Sequence, residues 1–338
     1  MASVVVTGAT GFIGSHLVEA LVRRGDRVKC LVRASSKTQP LSELGAALCT
    51  LDFAHAEALS AAVAGADVVY HLAGVTRTSN RRRLFAVNEA YARAMATACA
   101  GQARPPHLVV VSSVAGAGPG RRGQLRVETD VENPVSNYGQ SKLAGERAAE
   151  RAAGKAPLTI IRPGIVFGPR DTDCLKIFQS IRWLNAHFSP GLFSSPALSY
   201  IHVEDLVELL LRAGDAYSAA GNNNGEPAAR RLYFAAAPEH PSYAEFGRIV
   251  GPMLGRRWAI VIPMATPVAW CLGAAGEAFS LVTRRDDALN FDKMREALVE
   301  SWACSGEAAE RAFDFRPAKP LVERLQETID WHSAAGQL

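Results

Sequence analysis

The chain has 338 residues, 48% hydrophobic and 21% charged, an ordinary globular balance with room for one large α/β unit and an appended lobe. A formal net charge of +4 suits an anionic ligand but is too small and too scattered to argue for a nucleic-acid partner. The six cysteines stand singly, outside any Cys-x-x-Cys pair or Cys/His cluster, which argues against a disulfide framework and against a metal site.

The apolar run at residues 4–6 has no basic stretch before it, so no signal peptide is expected, and dispersed cysteines suit a reducing, cytoplasmic setting. Short β-branched runs then alternate with helical patterns. Strands are expected at 3–7, 27–32, 46–51, 67–71, 108–112, 158–161 and 231–234, with helices at 12–24, 56–63, 83–99 and 138–151. Nearly continuous apolar strands such as Val4-Val5-Val6 and Val109-Val110-Val111 point to a parallel sheet buried on both faces. The basic runs Arg81-Arg82-Arg83 and Arg121-Arg122 read as solvated surface. After Gly168 the alternation stops, and 171–196 and 238–338 read as more helical and richer in aromatics. Residues 221–225 read as an exposed loop. Residues 259–276 hold no charge. They read as a buried or mobile piece of the lobe, with a monotopic membrane contact as the alternative.

Three glycines, Gly8, Gly11 and Gly14, recur every third residue between the first strand and the first helix. Gly8 permits a tight turn, Gly11 a close approach of a pyrophosphate, and Gly14 close packing of the helix. The helix start offers free N–H groups and partial positive charge to phosphates. The expected fold is therefore α/β, a doubly wound parallel Rossmann sheet with a smaller, mostly helical C-terminal substrate lobe. The dinucleotide domain is placed at 1–169, continued by about 198–236, and the lobe at 170–197 and 237–338.

The string Thr7-Gly8-Ala9-Thr10-Gly11-Phe12-Ile13-Gly14 resembles that of the extended short-chain dehydrogenases/reductases. At the end of the second strand, an NAD-selective site needs a carboxylate for the ribose 2′-hydroxyl. Here Val32-Arg33 stands instead, with Lys37 beyond it, a pattern that favours the 2′-phosphate of NADP(H) over NAD(H). The resemblance implies further cofactor contacts at Asp52 and Phe53 near the adenine, at Leu72, Ala73 and Gly74 after the fourth strand, and at Asn88. It also places Pro163 and Val166, within Arg162–Pro169, beside the nicotinamide.

Tyr138-Gly139-Gln140-Ser141-Lys142 sets a phenol and an ammonium on one helix face. A neighbouring ammonium favours phenolate and is expected to lower the Tyr138 pKa, fitting it for proton exchange with a carbonyl or alcohol. In the similar family a catalytic hydroxyl lies about 25 positions earlier. That implies Ser113 as the group holding the substrate oxygen, and Ser112 as a structural hydroxyl. Tyr200-Ile201-His202-Val203-Glu204-Asp205 resembles a string that ties the lobe to the sheet, which makes His202 and Asp205 structural.

The fold hosts several chemistries, so the reaction must be read from the site. The sugar-nucleotide dehydratases carry an Asp-Glu pair after the catalytic hydroxyl, where this chain has Val114-Ala115. Sugar-nucleotide epimerases commonly carry Asn two positions after the Arg of the sixth-strand string, where this chain has Gly164. The expectation is an NADP(H)-dependent oxidoreductase on a ketone or secondary alcohol, nearest to the 3β-hydroxysteroid dehydrogenases and dihydroflavonol reductases. The alternatives are an epimerase with bound NAD, acting through a keto intermediate, and a non-catalytic NADP-binding scaffold or sensor. Residues 258–276, with Phe178, Trp183 and Phe188, suggest a hydrophobic or aromatic substrate, although such aromatics also serve as core. The resemblance further implies a homodimer through the helices at 83–99 and 138–151.

Overall fold

The β-branched runs become strands that are buried along almost their whole length, as a sheet covered on both faces requires. The computed structural model describes every residue except 77, 79, 192–194, 219–230, 257–258 and 284–289. Seven parallel strands lie in the order Arg231–Ala235, Leu158–Pro163, His107–Val111, Val68–His71, Ser3–Thr7, Arg27–Val32, Ala47–Thr50. The doubly wound parallel sheet expected from the sequence is thus present.

On one face, Leu17, Val18 and Leu21 of helix Phe12–Arg23 pack beside Leu206, Leu209 and Leu210 of helix Val203–Ser218. On the other, Leu59 and Val63 of Ala56–Val63 meet Met95 and Cys99 of Ala90–Ala100 and Ala149 of Asn137–Ala152. The single helix expected at 83–99 is two, Arg81–Asn88 and Ala90–Ala100. Their junction is where Gly145 rides against the Asn88 carbonyl, closely enough that any Cβ there would overlap it. Chain order reverses between Ser3–Thr7 and Val68–His71, so a crevice opens at the carboxyl ends of these two strands.

The rest of the described chain packs over one end of that crevice. Strand Ile165–Phe167 pairs with Tyr200–His202, Ala186–Pro190 with Ile260–Met264, and Ala197–Leu198 with Ser301–Trp302. Phe178 of helix Thr172–Leu184 stacks on Phe246 of helix Tyr243–Met253, and Phe246 stacks on Tyr200 at 4.9 Å. The C-terminal helix Leu321–Ala334 contributes Leu325 and Ile329 to the same core. Arg324 on that helix pairs with buried Asp205 at 2.7 Å, so Asp205 is a structural tie.

Two expectations need correction. Phe178 is core, while Trp183 and Phe188 point to solvent at 62% and 52% exposure, so none of the three faces the crevice. Residues 259–276 are also mostly exposed. Ala269 and Gly273 of helix Thr266–Thr283 face inward, whereas Ile260, Val268 and Leu272 face out. Apolarity there marks a surface, not a core. Among the described residues no helix is long and apolar enough to cross a membrane. The loop expected at 221–225 and the side chain of Trp258 lie outside the described residues.

Candidate active site

The glycine turn owes its shape to steric limits at two positions. Gly8 has φ +71°, and a Cβ on it would lie 2.7 Å from the Ala73 nitrogen and the Leu72 carbonyl carbon. A Cβ on Gly14 would overlap the Gly8 carbonyl oxygen, so the glycine lets the helix fold back onto its own turn. Gly11 caps helix Phe12–Arg23 without a side-chain cap, leaving the first-turn N–H groups without a local acceptor. These groups border a cavity of about 920 Å³ that runs from Lys37 to Tyr138 and Lys142. A dinucleotide fits this donor set: phosphates at the helix start, and cations at both ends.

Of the cofactor residues expected from the sequence, Gly8, Thr10, Gly11, Phe12, Ile13, Gly14, Lys37, Leu72, Gly74 and Val166 border the cavity, as do Tyr138 and Lys142. Arg33 lies on the surface just beyond strand Arg27–Val32, in a turn closed by Ser36 N–H on its carbonyl at 2.9 Å. Asp52 is exposed and accepts the Ala54 N–H at 3.0 Å. The Ala73 N–H donates to Thr7 Oγ1 at 3.1 Å, which locks the ends of two strands together. Asn88 accepts from Val75 N–H at 2.8 Å and donates to the Val75 carbonyl and to Ser141 Oγ. It clamps the loop after Gly74 to the helix that carries Tyr138. Two more of the expected residues do not border the cavity. Phe53 is buried and stacked on Tyr91 at 4.8 Å, and Pro163 is buried in the sheet opposite Ala235.

Ser112 and Ser113 end the fifth strand and diverge. The Ser112 hydroxyl turns inward and donates to Glu146 Oε1, while Ser113 caps the short helix Val114–Ala117 and hydrogen-bonds Tyr138. Lys142 donates to the Val111 carbonyl at 2.8 Å, which aims its ammonium at the strand end. Burial lowers the Lys142 pKa to about 8, opposed by Glu146 one turn further along the helix. Burial pushes the Tyr138 phenol above its usual value, the Ser113 hydrogen bond opposes that rise, and Glu296 adds to it. The expected lowering of Tyr138 by Lys142 is not met in this structure, where burial sets the direction.

Beneath the site, Arg162 grips Glu146 with two bonds, Nε to Oε1 at 2.9 Å and a terminal nitrogen to Oε2 at 2.5 Å. Both side chains are essentially inaccessible, and Glu132 accepts a further Arg162 bond at 3.1 Å. Arg162 thus anchors the catalytic helix from below.

Several contributors were not read from the sequence. The start of helix Thr172–Leu184 borders the cavity beside Ile165 and Val166. Lys293, in helix Phe291–Ala297, borders it too, with its Nζ 5.3 Å from the Tyr138 ring centre. The neighbouring Asp292 accepts the Asn137 and Tyr138 N–H groups at 2.7 and 3.0 Å, so the lobe itself caps the catalytic helix. The Asn290-x-x-Lys293 helix start is a local signal, since Asn290 caps through Lys293 N–H, but nothing local says where it docks.

The sequence matches the NAD dependent epimerase/dehydratase family over residues 4–225. A ceramide reductase of Caulobacter vibrioides is 31% identical over 99% of this chain and 96% of its own. A 4-hydroxy-2-methyl-3-oxo-4-farnesyl-3,4-dihydroquinoline-1-oxide ketoreductase of Stigmatella aurantiaca is 28% identical over 87% of this chain and 90% of its own. The solved structure of gox2253 superposes with a TM-score of 0.79 at 22% identity, covering all of both chains. A UDP-glucuronic acid 4-epimerase from Bacillus cereus, solved with UDP-glucuronic acid and NAD, gives 0.73 at 17% identity over 98% of this chain and 99% of its own. The chain belongs to the NAD-dependent epimerase/dehydratase family, within the extended short-chain dehydrogenases/reductases, whose members use NAD(P).

Proposed function

We propose that the protein is an NADP(H)-dependent oxidoreductase that interconverts an apolar ketone and its secondary alcohol. The observation that carries this reading is that Tyr138 and Lys142 stand at one end of the dinucleotide cavity, with Ser113 hydrogen-bonded to Tyr138. A bound nicotinamide supplies or accepts the hydride. Tyr138 Oη gives its proton to the carbonyl oxygen in reduction. Ser113 Oγ holds the same oxygen, and Lys142 presents an ammonium to the cofactor ribose.

Lys37 on the cavity wall, with no acid at Val32-Arg33, supports a 2′-phosphate over a free 2′-hydroxyl. Position 164, where sugar-nucleotide epimerases commonly carry Asn, has no room for a side chain, because a Cβ there would overlap the Ser199 carbonyl. That supports simple hydride transfer. The two relatives named as reductases of ceramide and of a farnesyl-bearing quinoline oxide support an apolar substrate. Tyr138 and Lys142 are both present, which a scaffold has no need of.

The test is NADPH oxidation with a panel of long-chain and aromatic ketones. Turnover by the wild type that falls at least about 100-fold in Tyr138→Phe supports the reading. Equal rates in both, or no turnover across the panel, overturn it.

A further inference from the structure

Helix Thr266–Thr283 leaves bulky apolar residues on its outer face. Inward, Ala269 is fully buried, Gly273 sits so close to Met294 that a Cβ would come within 2.8 Å of the methionine side chain, and half-buried Trp270 packs on Phe291. Its bulky residues Val268 and Leu272, four apart and so on one face, are 51% and 42% exposed. Ordinary packing would turn these toward the core.

The exposed apolar surface continues beyond the helix. The strand leading into it, Ile260–Met264, pairs with Ala186–Pro190 so that Ile262 faces Phe188, and both are exposed. Trp183 and Leu184, in the last turn of the preceding helix, are exposed as well. Isolated exposed apolar residues are normal, but a contiguous set marks a contact surface.

Charge identifies the partner. The described residues between 174 and 191 and from 259 to 276 carry Lys176 and Arg182, with Arg256 beside Arg182, while the acids of the two helices, Asp173 and Glu277, lie at the far ends from Trp183 and Val268. Arg182 and Arg256 lie next to each other at the edge of the patch, tied by hydrogen bonds from the Arg256 guanidinium to the Arg182 carbonyl. An apolar face with an arginine pair at its edge matches a bilayer with anionic headgroups, where hydrocarbon takes the bulky side chains and lipid phosphates face the arginines. The surface also adjoins the active site. The buried side of helix Thr266–Thr283 rests on helix Phe291–Ala297, whose Asp292 caps the catalytic helix and whose Lys293 borders the cavity.

We infer that this face of the lobe docks on an anionic lipid surface as a monotopic contact. Docking is independent of the hydride-transfer reading, because it is measured by binding and not by turnover. The experiment is flotation with vesicles of phosphatidylcholine containing 40% phosphatidylglycerol, beside vesicles of phosphatidylcholine alone. The wild type floats with the anionic vesicles, binds the neutral ones at least tenfold more weakly, and is released by salt. Val268→Ser/Leu272→Ser on the helix and Phe188→Ser/Ile262→Ser on the strands each lower binding at least tenfold. Both variants keep the wild-type melting temperature and NADPH affinity, because the replaced residues lie on the surface. A wild type that stays with the unbound fraction at 1 mM lipid overturns the inference, as does undiminished binding by both variants. So does a wild-type dimer, seen by light scattering, that the same substitutions dissociate while vesicles take up no protein.

Discussion

The buried Arg162–Glu146 pair sets a quantitative demand on the account of how the catalytic helix is seated. Taking Glu146 to Leu leaves a guanidinium at 1% side-chain exposure with Glu132 as its remaining carboxylate, 3.1 Å away. Taking Arg162 to Met leaves a fully buried carboxylate with the Ser112 hydroxyl. Removing one partner of such a pair costs about 3–5 kcal/mol, and the Glu146→Leu variant should sit at the lower end because Glu132 still holds the cation. Replacing both partners with apolar groups removes the stranded charge, so the double variant should lie within about 2 kcal/mol of the wild type. The expected coupling is then at least about 3 kcal/mol, a large share of the total stability of a typical domain. Guanidinium unfolding followed by tryptophan fluorescence measures all four corners of the cycle. Costs that simply add would refute the picture of a mutually dependent pair beneath the site. The Glu146→Leu variant should also lose at least about tenfold in kcat where it is still folded, since Ser112 Oγ is freed next to Ser113.

Gly14→Ala places a methyl into the Gly8 carbonyl and must push the helix start outward. It should weaken NADPH binding at least about 100-fold and cost about 1–3 kcal/mol of stability. An unchanged dissociation constant by calorimetry would remove the turn from the cofactor site. Lys37→Ala should cut the preference for NADPH over NADH by about tenfold, and Arg33→Ala by less, because Lys37 borders the cavity and Arg33 lies outside it. The reverse ranking in paired titrations would move the phosphate contact to Arg33. Acid should destabilise the fold through two neutral histidines, since burial holds His71 at a pKa of about 3 and His107 at about 4. Above pH 6.5 neither contributes. Between there and about pH 4 the unfolded chain takes up protons that the folded chain refuses, so stability falls as pH falls, by roughly 2 kcal/mol per histidine at pH 5. Comparing urea midpoints at pH 7.5 and 5 for wild type and His107→Gln checks this, and an identical pH slope in both would reject it.

What was legible in the sequence depended on how local its cause was. The glycine turn is fixed by clashes among residues 8, 9, 14, 72 and 73, and the glycines alone announce it. Ser113, Tyr138 and Lys142 come to one place because two neighbouring parallel strands deliver the segments that carry them, which the alternation already implied. Asp292 and Lys293 had no such signal. They reach Tyr138 across about 150 residues, through the docking of one short helix. Phe53 was assigned to the cofactor by its place after Asp52, but the strand end turns it onto Tyr91. Phe178 and Trp183 could have been separated by spacing. Cys174, Phe178 and Ile181 form the buried stripe of their helix, and Trp183 falls off it. Residues 259–276 were read as buried or mobile, with a membrane contact as the alternative, because hydropathy measures how apolar a segment is, without saying which of its faces has a partner.

The central claim is that this site moves a hydride to a carbonyl carbon with Tyr138 as the proton donor. The most direct test is a single turnover with NADPH deuterated at the transferred C4 position and an accepted ketone, read by mass spectrometry of the alcohol. The account predicts one deuterium on the carbinol carbon of the product, and transfer slowed at least about 100-fold in Tyr138→Phe. A product that carries no deuterium, or a Tyr138→Phe variant that transfers it at the wild-type rate, would contradict it.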